Sequence, residues 1–110
     1  MIAVEILEYV DARSRSLYRD WVLNLDAVAA ARISSAVLRM GRGNFSLAKS
    51  VGSGVHELRL DFGPGYRVYF GKDGERLVIL LGGGTKKRQQ ADIVTAHALW
   101  TEYKKRKRGK

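Results

Sequence analysis

The chain contains no cysteine, so disulfides and thiolate metal sites are both excluded. Only His56 and His97 remain as imidazole ligands, and no metal centre is expected. Long apolar runs are also missing: nothing approaches membrane-spanning length. The opening Met1-Ile-Ala-Val-Glu-Ile-Leu-Glu8 lacks the basic start and long apolar core of a signal peptide. A cytoplasmic protein with no membrane partner is expected. Acidic side chains become scarce towards the end, where residues 82–110 carry 9 basic and 2 acidic groups against 11 and 9 in residues 1–81. The formal net charge is +9. Such a surface attracts phosphate backbones by counterion release, and it attracts acidic proteins and membranes as well, so charge alone does not choose the partner. The run Gly82-Gly83-Gly84-Thr85 lacks the glycine-to-lysine spacing of a phosphate-binding P-loop, so no ATP or GTP cofactor is expected. Spacing suggests no Ser-His-Asp group, and Glu57 and Asp61 lie beside arginines that would keep them ionised.

What is present fits one small domain of 110 residues. Ile2, Val4 and Ile6 alternate as in a half-buried strand. Leu17, Trp21, Val22 and Leu25 recur at helical steps over 11–25, with Asp11 or Ser14 as N-cap. Asp26 can cap a second helix whose stripe is Val28, Ala29, Ile33, Ala36, Val37 and Met40, stopped by Gly41 and Gly43. After a polar stretch over 44–54 come three strands. Val55–Asp61 sets His56, Leu58 and Leu60 on a core face and Glu57, Arg59 and Asp61 on a charged one. Gly63-Pro64-Gly65 reverses the chain into Tyr66–Phe70, and a second reversal at 72–75 leads to Leu77–Leu81, apolar on both faces. The glycine run is expected to break this strand before a last helix, from about Arg88, with Ile93, Ala96, Trp100 and Tyr103 on one side. The order β-α-α-β-β-β-α predicts an α+β fold with a small, mainly antiparallel sheet. Residues 1–103 form the domain, and 104–110 a basic C-terminal tail expected to be disordered.

Glu57-Leu-Arg-Leu-Asp-Phe-Gly-Pro-Gly-Tyr-Arg-Val-Tyr-Phe70 resembles the core motif of the HigB-like addiction module killer branch of the RelE/ParE toxin superfamily. Gly43-Asn-Phe45 and Leu80-Leu-Gly-Gly-Gly-Thr-Lys-Lys87 lie where the resemblance expects them. It covers about Ile2 to Glu102 and implies a RelE-like twisted sheet flanked by helices. It also implies a type II toxin paired with an antitoxin, usually a small helix-turn-helix protein. RelE-like and HigB-like members cut mRNA on the ribosome through attack of the ribose 2′-hydroxyl on its own phosphate. ParE-like members poison DNA gyrase, so the scaffold leaves both activities open.

Metal-free RNA cleavage needs a base, a proton source and cations for the phosphorane. Strand alternation puts Arg59 and Arg67 on one face, where they can meet one phosphate or pair with Glu57 and Asp61. The resemblance gives Arg67 the phosphate-stabilising role and a second catalytic cation to Lys86 or Lys87. Lys86, Lys87 and Arg88 enter a helix, where side-chain charge, dipole and free amides act together on a phosphate, or they are solvated cations. Tyr69 shares the Arg67 face and either stacks on a base or handles a proton, or packs. His56 and His97 are expected to be structural. Where some family nucleases carry a tyrosine or histidine near the last helix, Asp92-Ile93 offers no tyrosine. Lys104, Lys105 and Arg106 are expected to bind RNA or to be a solvated tail. The reading is therefore a metal-independent, cofactor-free mRNA endoribonuclease acting with ribosome and mRNA. The alternatives are a gyrase poison without nuclease activity and a nucleic-acid-binding module with lost catalysis.

Overall fold

The computed structural model describes residues 3–109; Ile2 of the first expected strand and Lys110 of the tail lie outside them. The fold is α+β. Its elements are β1 (Glu5–Glu8), α1 (Leu17–Leu23), α2 (Ala27–Gly41), β2 (Ala48–Ser50), β3 (Val55–Leu60), β4 (Tyr66–Lys72), β5 (Leu77–Thr85), a 3-10 turn (Lys86–Arg88) and α3 (Gln89–Arg108). Among the described residues five strands form one sheet in the order β1-β5-β4-β3-β2. β1 runs parallel to β5 and every other pair is antiparallel, as the short reversals between β3, β4 and β5 require.

Two caps explain the helical hairpin. Asp26 accepts from the Ala29 N–H at 2.9 Å and starts α2, as its sequence position predicts. α1 begins later than expected, at Leu17, capped by Ser16. Asp11 instead accepts from the N–H groups of Arg13 and Arg15 in a turn that holds Ser14 at φ 61°, so it competes with a helix and does not cap one. Ala29, Ile33, Ala36, Val37 and Met40 of α2 are buried, whereas Leu17 and Val28 of the expected stripes are 44% and 69% exposed. The buried set packs on one sheet face with Leu58, Leu60, Val68, Phe70, Val78 and Leu80.

Three further expectations fail, each because of a tertiary neighbour. The polar stretch before β3 holds a strand, β2, whose pairing with β3 from Ala48–Leu58 to Ser50–His56 extends the sheet by one edge. The glycine run does not break β5; Gly82, Gly83 and Gly84 pair with Tyr69, Val68 and Arg67 after a bulge at Tyr69/Phe70. A side chain at Gly83 would enter the Trp21 ring and one at Gly84 the Asp92 carboxylate, so glycine here admits close packing on both faces. The tail is not disordered through residue 108: α3 continues to Arg108. It is held by the Lys107–Asp73 ion pair at 2.6 Å and by Arg106, which donates to Tyr9 Oη and the Val10 carbonyl.

The sheet face expected to be charged is covered by the last helix. α3 lays Ala96 and Trp100 on Tyr9, Val55, Tyr69, Ile79 and Leu81 to form a second core. Glu57 and Arg67 are thereby buried, at 0% and 4% exposure.

Candidate functional site

Antiparallel register decides which side chains meet. Glu57 pairs with Tyr69 and Arg59 with Arg67, so all four stand on the α3 face of β3 and β4. Directly opposed arginines repel, and a carboxylate relieves this: Arg59 Nε donates to Glu57 Oε1 at 2.8 Å, with Arg67 Nε 3.9 Å from the same oxygen. Gln89, in the first turn of α3, donates to Glu57 Oε2 at 2.8 Å and closes the cluster from above. Burial alone would raise the Glu57 pKa, but the hydrogen bonds from Arg59 and Gln89 outweigh it and hold the carboxyl below its ordinary value.

The two arginines differ in access. Arg67 is a buried anchor whose Nη1 donates to the Tyr66 carbonyl and lies 3.6 Å from Asp61 Oδ1. The Arg59 side chain is 39% exposed. Lys86 joins them through Gly65: its N–H donates to the Gly65 carbonyl at 2.7 Å. A Cβ placed on Gly65 would lie 3.2 Å from Lys86 Cβ and 3.7 Å from Arg67 Nη1. The left-handed φ of 78° at Gly65 and this crowding both require glycine. Of the two lysines left open by the sequence, Lys86 is the one with its stem beside Arg67; Lys87 and Arg88 are exposed on the same 3-10 turn.

Tyr69 is 1% exposed and belongs to the second core. Its hydroxyl faces Glu57 without reaching hydrogen-bond geometry, and burial, with Glu57 and Asp92 nearby, raises its pKa. The residue therefore underlies the cations, with no open face for a base to stack on. His97 Nε2 contacts the Val51 carbonyl at 2.9 Å, and His56 stacks on Phe70 with centroids 5.4 Å apart, so both side chains are engaged in packing.

The basic end of α3 divides into two sets. Arg106 and Lys107 are engaged by the core, as above, whereas Lys104 and Lys105 are exposed, with Lys104 Nζ 5.9 Å from the centre of the Trp100 ring. Tyr9 donates to Glu102 and Tyr103 to Asp73 beneath them, so this end of the helix is docked by a polar network.

Sequence reasoning missed Gln89 and Asp92. The signal was helical spacing, since positions 89, 92, 96 and 100 fall on the face that α3 turns to the sheet. Asp92 Oδ1 is 4.0 Å from Arg88 Nε, while Oδ2 is buried without a partner. Burial raises its pKa against the opposing effect of Arg88.

No family model and no solved structure matches the chain. Over 94 residues it is 39% identical to a Haemophilus influenzae protein described as uncharacterized, an alignment that covers 84% of this chain and 95% of that protein. The chain belongs to that protein's family. The shared stretch is almost the whole of the relative, so the kinship concerns the entire domain; what the domain does has to be read from its side chains.

Proposed function

We propose that the chain is the toxin of a type II toxin–antitoxin pair, built on a RelE-like scaffold, and that it cleaves mRNA on the ribosome. The observation that carries this reading is that Arg59 and Arg67 are cross-strand partners on one face and that the stem of Lys86 lies with Arg67 at Gly65. Cations drawn from three neighbouring elements suit a phosphate whose charge grows in the transition state. In this reading Arg59 and Lys86 contact the scissile phosphate. Arg67, fixed beneath them, contributes its field and becomes a direct donor when the ligand draws it away from Glu57. Lys87 and Arg88, and Lys104 and Lys105 at the other end of α3, bind the RNA backbone. An antitoxin that covers the cations silences the toxin.

A second reading has its own support. Tyr69 is sealed in the core and both histidines are engaged, so the groups usually asked to move protons are occupied. That favours a gyrase poison without nuclease chemistry.

Cell-free translation with purified protein separates the two. New RNA ends within translated message, absent with Arg59→Ala and Lys86→Ala, are expected from the nuclease. Lys86 is the cleaner probe, because Arg59→Ala and Arg67→Ala each remove a cation from beside the buried Glu57 and so also destabilise the fold, which a thermal melt of each variant reads separately. Message left intact at concentrations that arrest growth, with supercoiling by gyrase inhibited, would refute RNA cleavage.

A further inference from the structure

Beside the cation cluster, where the outer edge of β5 passes between α1 and α3, lies a cavity of about 280 Å³ lined in part by Asp20, Trp21, Asn24, Gly83, Asp92 and Thr95. From this cavity we infer that the protein holds a single unstacked nucleobase, with guanine as the base it prefers. The inference rests on the RNA reading in placing the attached phosphate at Arg59, Arg67 and Lys86.

Three features of the cavity define its chemistry. The first is an unpaired strand edge. Lys86 N–H bonds the Gly65 carbonyl, so the antiparallel alternation makes Arg67–Gly84 and Tyr69–Gly82 the bonded pairs and turns the N–H and C=O of Gly83 outward. β1 pairs with β5 only as far as Leu80, which leaves this edge uncovered among the described residues. The second is the Asp92 carboxylate. It lies against Gly84, the cross-strand partner of Arg67, with its Oδ2 buried there and without any hydrogen-bond partner. The third is the half-buried Trp21 ring, packed on Gly83, which gives the cavity an aromatic wall.

A carboxylate accepts only, whereas a free peptide edge donates once and accepts once. The base edge that complements a carboxylate is one with two adjacent donors, and among the four bases only guanine has this, at N1–H and N2–H. Its neighbouring O6 would take the Gly83 N–H. Adenine and cytosine place a ring acceptor beside their amino group, and that acceptor would face the carboxylate. Unstacked bases in RNA are read in this way, by hydrogen bonds to the Watson–Crick edge and by aromatic contact. The volume lies just under the usual range for small-molecule pockets, which suits one base better than a peptide strand. Gly83 and Gly84 are consecutive, so cavity and cations adjoin along β5.

The test is a titration of ¹⁵N-labelled protein with guanosine, adenosine, cytidine and uridine 5′-monophosphates, reading the Gly83 amide and the Trp21 indole. Saturable shifts at both, tightest with the guanosine nucleotide, are expected. Asp92→Asn should weaken that binding at least tenfold, about 1.4 kcal/mol, while the weaker phosphate-dependent shifts at Lys86 and Arg88 persist for all four. Shifts confined to Lys86–Arg88, equal affinities for the four nucleotides, or no shifts would each overturn the base site. If Asp92→Asn does not fold, the selectivity of the unaltered protein decides alone. RNA cleavage without guanine preference would sink this inference and leave the nuclease reading standing. Guanosine-selective binding at Gly83 without cleavage would do the reverse.

Discussion

Glu57 is the carboxylate on which the cation cluster depends, so Glu57→Gln is the most informative single change. It keeps the shape and removes the charge that faces Arg59, Arg67 and Gln89. Breaking a buried ion pair from one side costs roughly 3–5 kcal/mol. Arg59 is partly in water and can rehydrate, which puts this case at about 3 kcal/mol. Set against a total stability of roughly 5–15 kcal/mol, that is a large loss. At about 4 °C per kcal/mol for a domain of this size, Tm should fall by about 12 °C at neutral pH. The difference depends on pH in a defined direction. Interactions hold the folded-state pKa of Glu57 below its ordinary value of 4.5, so the ionised carboxylate stabilises the fold fully above that value. This contribution disappears as pH falls through the folded-state pKa. The gap between wild type and variant, measured by calorimetry or by circular dichroism melts, should be widest near neutrality and shrink on acidification. A loss below about 1 kcal/mol at neutral pH, or a gap that grows between about pH 5 and about pH 3, would refute the reasoning.

Gly83→Ala should destabilise by about 1–3 kcal/mol because its Cβ enters the Trp21 ring. Gly82→Ala, whose nearest neighbour is Leu17 Cβ at 4.0 Å, should be tolerated, and thermal melts of the pair test this. Lys107→Ala and Arg106→Ala should each lower Tm, since both side chains hold α3 to the sheet. Lys104→Ala and Lys105→Ala should leave Tm unchanged and reduce the salt dependence of RNA binding by about one counterion each, read from log–log plots of affinity against salt. The imidazole of His56 should titrate below its ordinary 6.5 in NMR, because burial and then the nearby Lys72 both disfavour its cation. A midpoint above 6.5 would contradict the packing of His56 on Phe70.

Much of the fold was legible in the sequence because local physics repeats along it. Period-two alternation assigned Arg59, Arg67 and Tyr69 to one face, and the register of β3 with β4 bears this out. Asp26 announced the start of α2, and Gly63-Pro64-Gly65 the reversal into β4. The candidate site was legible as a set of cations, but not in its connections. Alternation tells which side chains share a face and says nothing of what will lie over that face. Only the docking of α3 converts a charged surface into a buried cluster, with Gln89 on Glu57. Only it selects Arg106 and Lys107 as structural cations in a tail whose composition reads as disordered.

The sequence by itself determined the α+β class, the placement of the main strands and helices, and the excess of positive charge in the last third. Tertiary structure decided that the glycine run is strand, that β2 exists, and that Arg67 is buried while Arg59 is partly open. The reason is distance along the chain. A strand's alternation or a helix's cap depends on neighbours a few residues away, whereas Trp21 against Gly83 and Tyr9 against Arg106 are contacts between remote segments. They exist only once the sheet has fixed where α1 and α3 must lie.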